Sequence, residues 1–328
     1  MRSLTLKSAF IILGATALVF AACGGDDDDA SASVCDDASQ VLSDQPGDYA
    51  PTVISSDLAV GENRFVLGLL EGGTTPIADA DLEAQFCRFT SMDEATLDSE
   101  VSLSALTVDR SFTHIHEDGE LHQHDAGPIG VYVANVDFSS AGPWQVFISG
   151  NVAGEELEPT PFLFPVAEAA LTPAVGSPAP QSVQLIIDDV SDITEIDTST
   201  PPNVEMHDMT IADAVTSGRP SVIVFATPAF CTSQICGPTK EILDSLFPTY
   251  GDRINFVHVE PYEIERIRSG DCPPPYSDCT LPFLAEDWGL RTEPWLFTVD
   301  AEGNIAGKFE GVVGETEMEE HLQELLAS

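Results

Sequence analysis

The sequence predicts two folded parts of different class, an all-β sandwich of about 100 residues followed by an α/β domain. Three observations carry this. Short alternating apolar runs with turn signals between them fill residues 52–166, where helical spacing is scarce. Pro173-Ala-Val-Gly-Ser-Pro-Ala-Pro180 follows, and a run of prolines and small residues makes an extended, stiff connector. Beyond it, the β-branched run Ser221–Phe225 leads through Cys231 to Cys236-Gly-Pro238 and on to Ile242, Leu243, Leu246 and Phe247 at helical spacing.

The chain begins with the marks of export. Arg2 and Lys7 precede an apolar stretch, Ala9 to Ala22, that is short for a membrane span. It ends Val19-Phe-Ala-Ala-Cys23, which resembles the bacterial lipoprotein box. That resemblance implies lipidation of Cys23 and an extracytoplasmic protein tied to the bacterial cell membrane through its lipid. Ordinary cleavage near Ala22, leaving Cys23 free, is the alternative. Gly24, Gly25 and the run Asp26–Asp29 read as a self-repelling tether. The boundaries so read are a signal peptide over 1–22, an acidic tether over 23–50, the sandwich over 51–168, a linker over 169–184 and the second domain over 185–328.

Of 328 residues, 55 are acidic and 12 basic, a formal charge of −43. Phosphate backbones and anionic lipid surfaces are repelled by such a chain, so nucleic acid is excluded as a partner. Setting Cys23 aside, six of the seven cysteines remain, an even number that suits an oxidising compartment. Proximity pairs Cys231 with Cys236 and Cys272 with Cys279, which leaves Cys35 for Cys87 as structural partners.

Within the first domain, Arg64–Leu70, Leu82–Phe89, Gly130–Val136, Trp144–Ser149 and Glu158–Phe164 read as strands. The phrase Gly130-Val-Tyr-Val-Ala-Asn-Val-Asp-Phe-Ser-Ser-Ala-Gly-Pro-Trp144 resembles the immunoglobulin-like sandwiches of small exported copper-handling proteins. His114, His116, His122 and His124 bracket Asp118-Gly119, a hairpin signal. A loop of Glu117-Asp118-Gly119 places His114 opposite His122 and offers paired imidazoles to copper or zinc. A loop of Asp118-Gly119 alone sends the histidine pairs to opposite faces, and a polar solvent-facing hairpin remains.

In the second domain, Thr210–Ser217 reads as a short helix, Ile254–Glu260 as a strand, and Glu315–Ala327 as a closing helix with Met318, Leu322, Leu325 and Leu326 on one stripe. His258 is expected to pack in or at the edge of the sheet, without a ligand role. Cys272-Pro-Pro-Pro-Tyr-Ser-Asp-Cys279 is a stiff insertion, either a stapled surface loop or a wall beside the Cys231 turn. The Ser221–Lys240 stretch, with Thr292–Gly311, resembles the thioredoxin family over roughly the last 140 residues, by a scale of ~100–200 residues per domain. The resemblance implies that Pro294 is a cis-proline holding a substrate strand and that Trp295–Val299 and Ile305–Phe309 form a hairpin. The family's second cysteine would fall at Thr239, so the pair here is Cys231-x4-Cys236. Val224 stands where many members keep a buried aspartate, and Glu293 places negative charge near the thiols.

A helix N-terminus favours a thiolate. The leading expectation is therefore a lipid-anchored thiol–disulfide oxidoreductase acting on protein thiols or disulfides. It needs no cofactor, with Cys236 favoured as the attacking sulfur and Cys231 as its partner. The alternatives are a copper-binding or chaperone protein, using the cysteine pair or the histidine hairpin, and a non-catalytic binding protein whose cysteines form structural disulfides.

Overall fold

The computed structural model describes residues 34–36, 48–92, 94–115, 121–231 and 233–327. The signal peptide, Cys23 and most of the acidic tether lie outside them. Among the described residues no helix is long and apolar enough to cross a membrane.

Eight strands form the first sheet: β1 (Tyr49–Val53), β2 (Gly61–Glu71), β3 (Thr75–Pro76), β4 (Ala80–Phe89), β5 (Ala95–Ile115), β6 (Leu121–Phe138), β7 (Gly142–Val152) and β8 (Glu155–Val166). Every pairing is antiparallel, in the order β1-β2-β6-β5-β4-β7-β8, with β3 on β2. The strands alternate as their sequences dictate. Along β4, Ala80, Leu82, Ala84 and Phe86 point inward while Asp81 and Glu83 face water. The inward residues build an aromatic interior. Phe65 meets Phe86 edge-on at 5.0 Å, and Phe138 meets Trp144 at 5.0 Å. Trp144 satisfies its indole N–H on the Ser140 carbonyl at 2.9 Å. Gly130 is required on β6, because a Cβ there would stand 2.1 Å from the Ile77 carbonyl oxygen. The sheet curls until its ends approach, and Val60 N–H donates to Ala167 O while Ala167 N–H donates to Leu58 O.

The second part carries α1 (Ile211–Thr216), β9 (Ser221–Phe225), α2 (Cys236–Tyr250), β10 (Asn255–Val259), α3 (Ile264–Arg268), α4 (Pro282–Glu286), β11 (Trp295–Val299), β12 (Ile305–Glu310) and α5 (Glu315–Ala327). Thr210 caps α1 in a reciprocal box with Asp213. Strand order is β10-β9-β11-β12, and only β9 and β10 run parallel.

The expected class, an α/β thioredoxin-like domain preceded by an immunoglobulin-like sandwich, is corrected by this architecture. The chain is mostly β, with a nearly closed antiparallel sheet and few helices, and is not of the α/β thioredoxin class. The physical reason lies in the long β5–β6 hairpin. Its strands of 21 and 18 residues run through one continuous sheet, where a sandwich of short strands would need two. Among the described residues that sheet carries most of the regular structure, and only α2 and α5 of the helices exceed six residues.

The described residues fall within one unit, Ser33–Ser328. Arg64 on β2 joins the two sheets: its guanidinium donates to both Glu317 oxygens at 2.7 and 2.9 Å and to the Val312 carbonyl at 2.8 Å. Val66, Val108, Val131 and Val133 of the first sheet pack with Ile235 and Val312 of the second part. The proline-rich linker lies along the β11–β12 turn, where Gly176 N–H donates to Ile305 O and Ala179 N–H to Gly303 O.

Candidate functional site

β9 is buried over its whole length between β10 and β11. Where it ends, the chain turns through Cys231 and enters α2 at Cys236, with Pro238 in the first turn. Proline suits that place because its missing N–H would be unpaired there in any case. Ile235 gives no side-chain cap to the helix. The cap comes instead from sulfur: Cys236 N–H donates to Cys231 Sγ at 3.3 Å, and Ser233 Oγ lies 3.2 Å from the same atom.

Cys231 and Cys236 are disulfide-bonded, with Cα atoms 6.0 Å apart. Their exposures differ. Cys236 is fully buried, whereas Cys231 is half-buried at the surface. A carboxylate oxygen of Glu293 lies within 4.8 Å of both sulfurs. Burial pushes the Glu293 carboxyl above its usual range, although a hydrogen bond with Tyr262 acts the other way. The Glu293–Pro294 peptide is cis. The Pro294 carbonyl accepts from Gly311 N–H at 2.9 Å, so that oxygen is taken within the fold.

Cys272 is bonded to Cys279 and Cys35 to Cys87. The 272–279 insertion stands beside the Cys231 turn, because its cysteines pack with Phe230 and Tyr276 meets Phe230 edge-on at 5.5 Å. Trp295 is core, stacked on Phe297 at 5.7 Å. In the histidine hairpin, the β5–β6 register sets His114 opposite His122 and Phe112 opposite His124. His116 and the side chains of His114, His122 and His124 lie outside what is described.

Sequence reasoning missed a buried polar cluster behind this corner. His258 on β10 is 1% exposed, as packing in the sheet requires, but it does not sit among apolar neighbours alone. Its Nδ1 lies 3.3 Å from His207 Nε2 and 3.6 Å from Asp197 Oδ2. Lys240 of α2, also fully buried, binds both Asp244 oxygens and approaches Asp197 Oδ2 at 3.9 Å. Glu260 accepts from the Thr198 amide and hydroxyl at 2.7 and 2.5 Å. Burial opposes ionisation of Asp197, but the His258 charge and hydrogen bonds from His207 and His258 hold its carboxyl well below the usual range. Burial works against a charged His258 too, and the Asp197 charge outweighs it, so the imidazole is raised. For Glu260 burial dominates and pushes the carboxyl up to about 6. The only sequence signal was chemical type, since His258 was visible on its strand but its partners lay on distant segments.

Compared with protein-family models, curated proteins and solved structures, the chain matches none.

Proposed function

We propose that the chain is an extracytoplasmic thiol–disulfide oxidoreductase, anchored through lipid on Cys23, with Cys231 as the attacking sulfur. The observation that carries this is the asymmetry of the bonded pair. One sulfur is open to a partner and accepts the first N–H of a helix, and the other is sealed behind it. The helix end stabilises a thiolate at Cys231. The sequence position of Cys236 had favoured that residue, but burial withdraws it from a protein substrate.

In the reduced state, Cys231 thiolate attacks one sulfur of a substrate disulfide, and the substrate's other sulfur leaves as thiolate. Cys236, deprotonated, then attacks Cys231 Sγ, re-forms the internal bond and releases the second substrate thiolate. Two electrons pass to the substrate, and the reverse sequence oxidises a substrate dithiol. Glu293, raised by burial and close to both sulfurs, takes the Cys236 proton. The 272–279 loop forms a wall of the docking surface.

The test is the reduction potential of the 231–236 pair, measured against glutathione with the other two disulfides intact. Catalytic pairs lie between about −120 and −270 mV, whereas a value well below about −300 mV marks a structural bond and sinks the proposal. Cys236→Ser is expected to trap substrate on Cys231, and Cys231→Ser to trap none. A second reading rests on the closeness of Cys231, Cys236 and Glu293. Once reduced, two thiolates and a carboxylate make a soft site for copper or zinc. Metal analysis of protein purified under reducing conditions decides between them.

A further inference from the structure

Asp197, His207 and His258 take no part in the disulfide chemistry, yet each turns one donor atom toward the others. His207 Nε2 stands 3.2 Å from Asp197 Oδ2 and 3.3 Å from His258 Nδ1, and the third edge is 3.6 Å. Donors held about 2.0–2.1 Å from a tetrahedral ion are about 3.3–3.4 Å apart, while octahedral neighbours at that length stand about 3.0 Å apart. The triangle therefore has the size of one tetrahedral face.

Two of the three ligands are held from behind as a ligand set requires. His258 donates its Nε2–H to the Ala226 carbonyl at 3.0 Å. That bond leaves the neutral ring's lone pair on Nδ1, aimed at the triangle. Asp197 Oδ1 accepts from the Ser199 amide and hydroxyl, and Oδ2 from Asn203 N–H at 3.2 Å. The other lone pair of Oδ2 faces His207 Nε2 at 3.2 Å, and an ion would take the place of that hydrogen bond. All three residues are at most 2% exposed. Lys240 brings a positive charge near Oδ2, but Asp244 neutralises it at 2.7 and 2.9 Å.

We propose that Asp197, His207 and His258 bind one divalent first-row transition cation, zinc by the size of the face, with a fourth position open. The donor set of two imidazoles and a carboxylate suits such an ion. Asp197 and His207 belong to residues 181–209, a segment whose regular structure is limited to short 3-10 turns, and His258 belongs to β10. The ion pins that segment to the sheet edge. A cavity of about 550 Å³ bordered by Leu185, Ile196, Tyr262 and Phe283 reaches both histidines and gives the ion its path.

The experiment uses the full chain with its disulfides intact, stripped with chelator and titrated with Zn²⁺ in a calorimeter. One equivalent is expected, with affinity falling on the order of 100-fold or more in His207→Ala and in His258→Ala, since even outer-shell losses cost 10–100-fold. The equivalent should persist when Cys231 and Cys236 are both serine and when the four hairpin histidines are alanine. Co²⁺ in place of zinc should give a visible band of tetrahedral intensity without thiolate charge transfer. Where His258→Ala fails to fold, His207→Gln, which keeps a donor toward Asp197, serves in its place. No zinc uptake by the unaltered chain, uptake indifferent to His207, or uptake lost with the hairpin histidines would each overturn the site. None of these outcomes depends on the redox reading, because the disulfide is either closed or, in the double-serine variant, absent.

Discussion

The interior of the first sheet and the space behind the Cys231–Cys236 corner are filled in opposite ways. Phe65, Phe86, Phe138, Trp144 and Phe164 pack ring against ring inside the first. Asp197, His207, Lys240, His258 and Glu260 are buried as deeply in the second part, and each brings a titratable group. Fully burying an apolar side chain stabilises a fold by about 1.5–3 kcal/mol, whereas burying a charge costs several kcal/mol before its partners offset it. The contrast teaches where to look for chemistry. The aromatic interior explains itself as stability, and the charged one calls for a task.

The largest effects test that contrast at its two centres. Phe86→Ala should cost about 3–5 kcal/mol in urea unfolding, through lost transfer energy and a cavity the rigid rings cannot close. Asp197→Ala should cost a similar ~3–5 kcal/mol by leaving the buried His207 and His258 without their carboxylate partner. The two then part company. Adding His258→Leu should recover part of the Asp197→Ala loss, because the buried imidazole that Asp197 held charged is removed, while no second substitution of that kind helps Phe86→Ala. If the double variant is no better than the single one, the cluster is not held by charge.

Next in size is the junction. Arg64→Ala removes charge-assisted bonds to Glu317 and the Val312 carbonyl and should cost about 1.5–3 kcal/mol by chemical denaturation. Smaller still is Glu293→Gln. With its negative charge gone from beside the sulfurs, Cys231 in the reduced protein should react about 3–10-fold faster with a model disulfide at neutral pH.

The smallest effect is a pH dependence. Burial pushes the His321 imidazole down, with Glu324 and Glu317 acting the other way. The unfolded chain therefore takes up this proton first as pH falls through about 6.5. His321 should contribute declining stability from neutral pH downward, and His321→Gln should flatten that slope when unfolding is measured at about pH 7.5 and 6.0.

What the sequence made legible follows from which signals are local. β2, β4, β6, β7 and β8 contain the runs read as strands, since alternation survives wherever one face is buried. β5 went unread because its Ser, Thr and Asp positions blur the two faces, and with it went the continuity of the sheet. That one hidden strand explains why separate short strands suggested a sandwich. The cysteine pair was visible because its partners are five residues apart. The polar cluster was not, because His207 lies ten residues from Asp197 and fifty-one from His258 on segments with no shared period.

Ile235 sits one residue before Cys236 and is wedged among valines of the opposite sheet. Cutting the gene between the two halves would strip that wedge of its cover and leave an oily scar on each fragment. The sulfur corner is thus bolted to a wall it does not own. Any shift of that helix end must therefore disturb the valines of the first sheet.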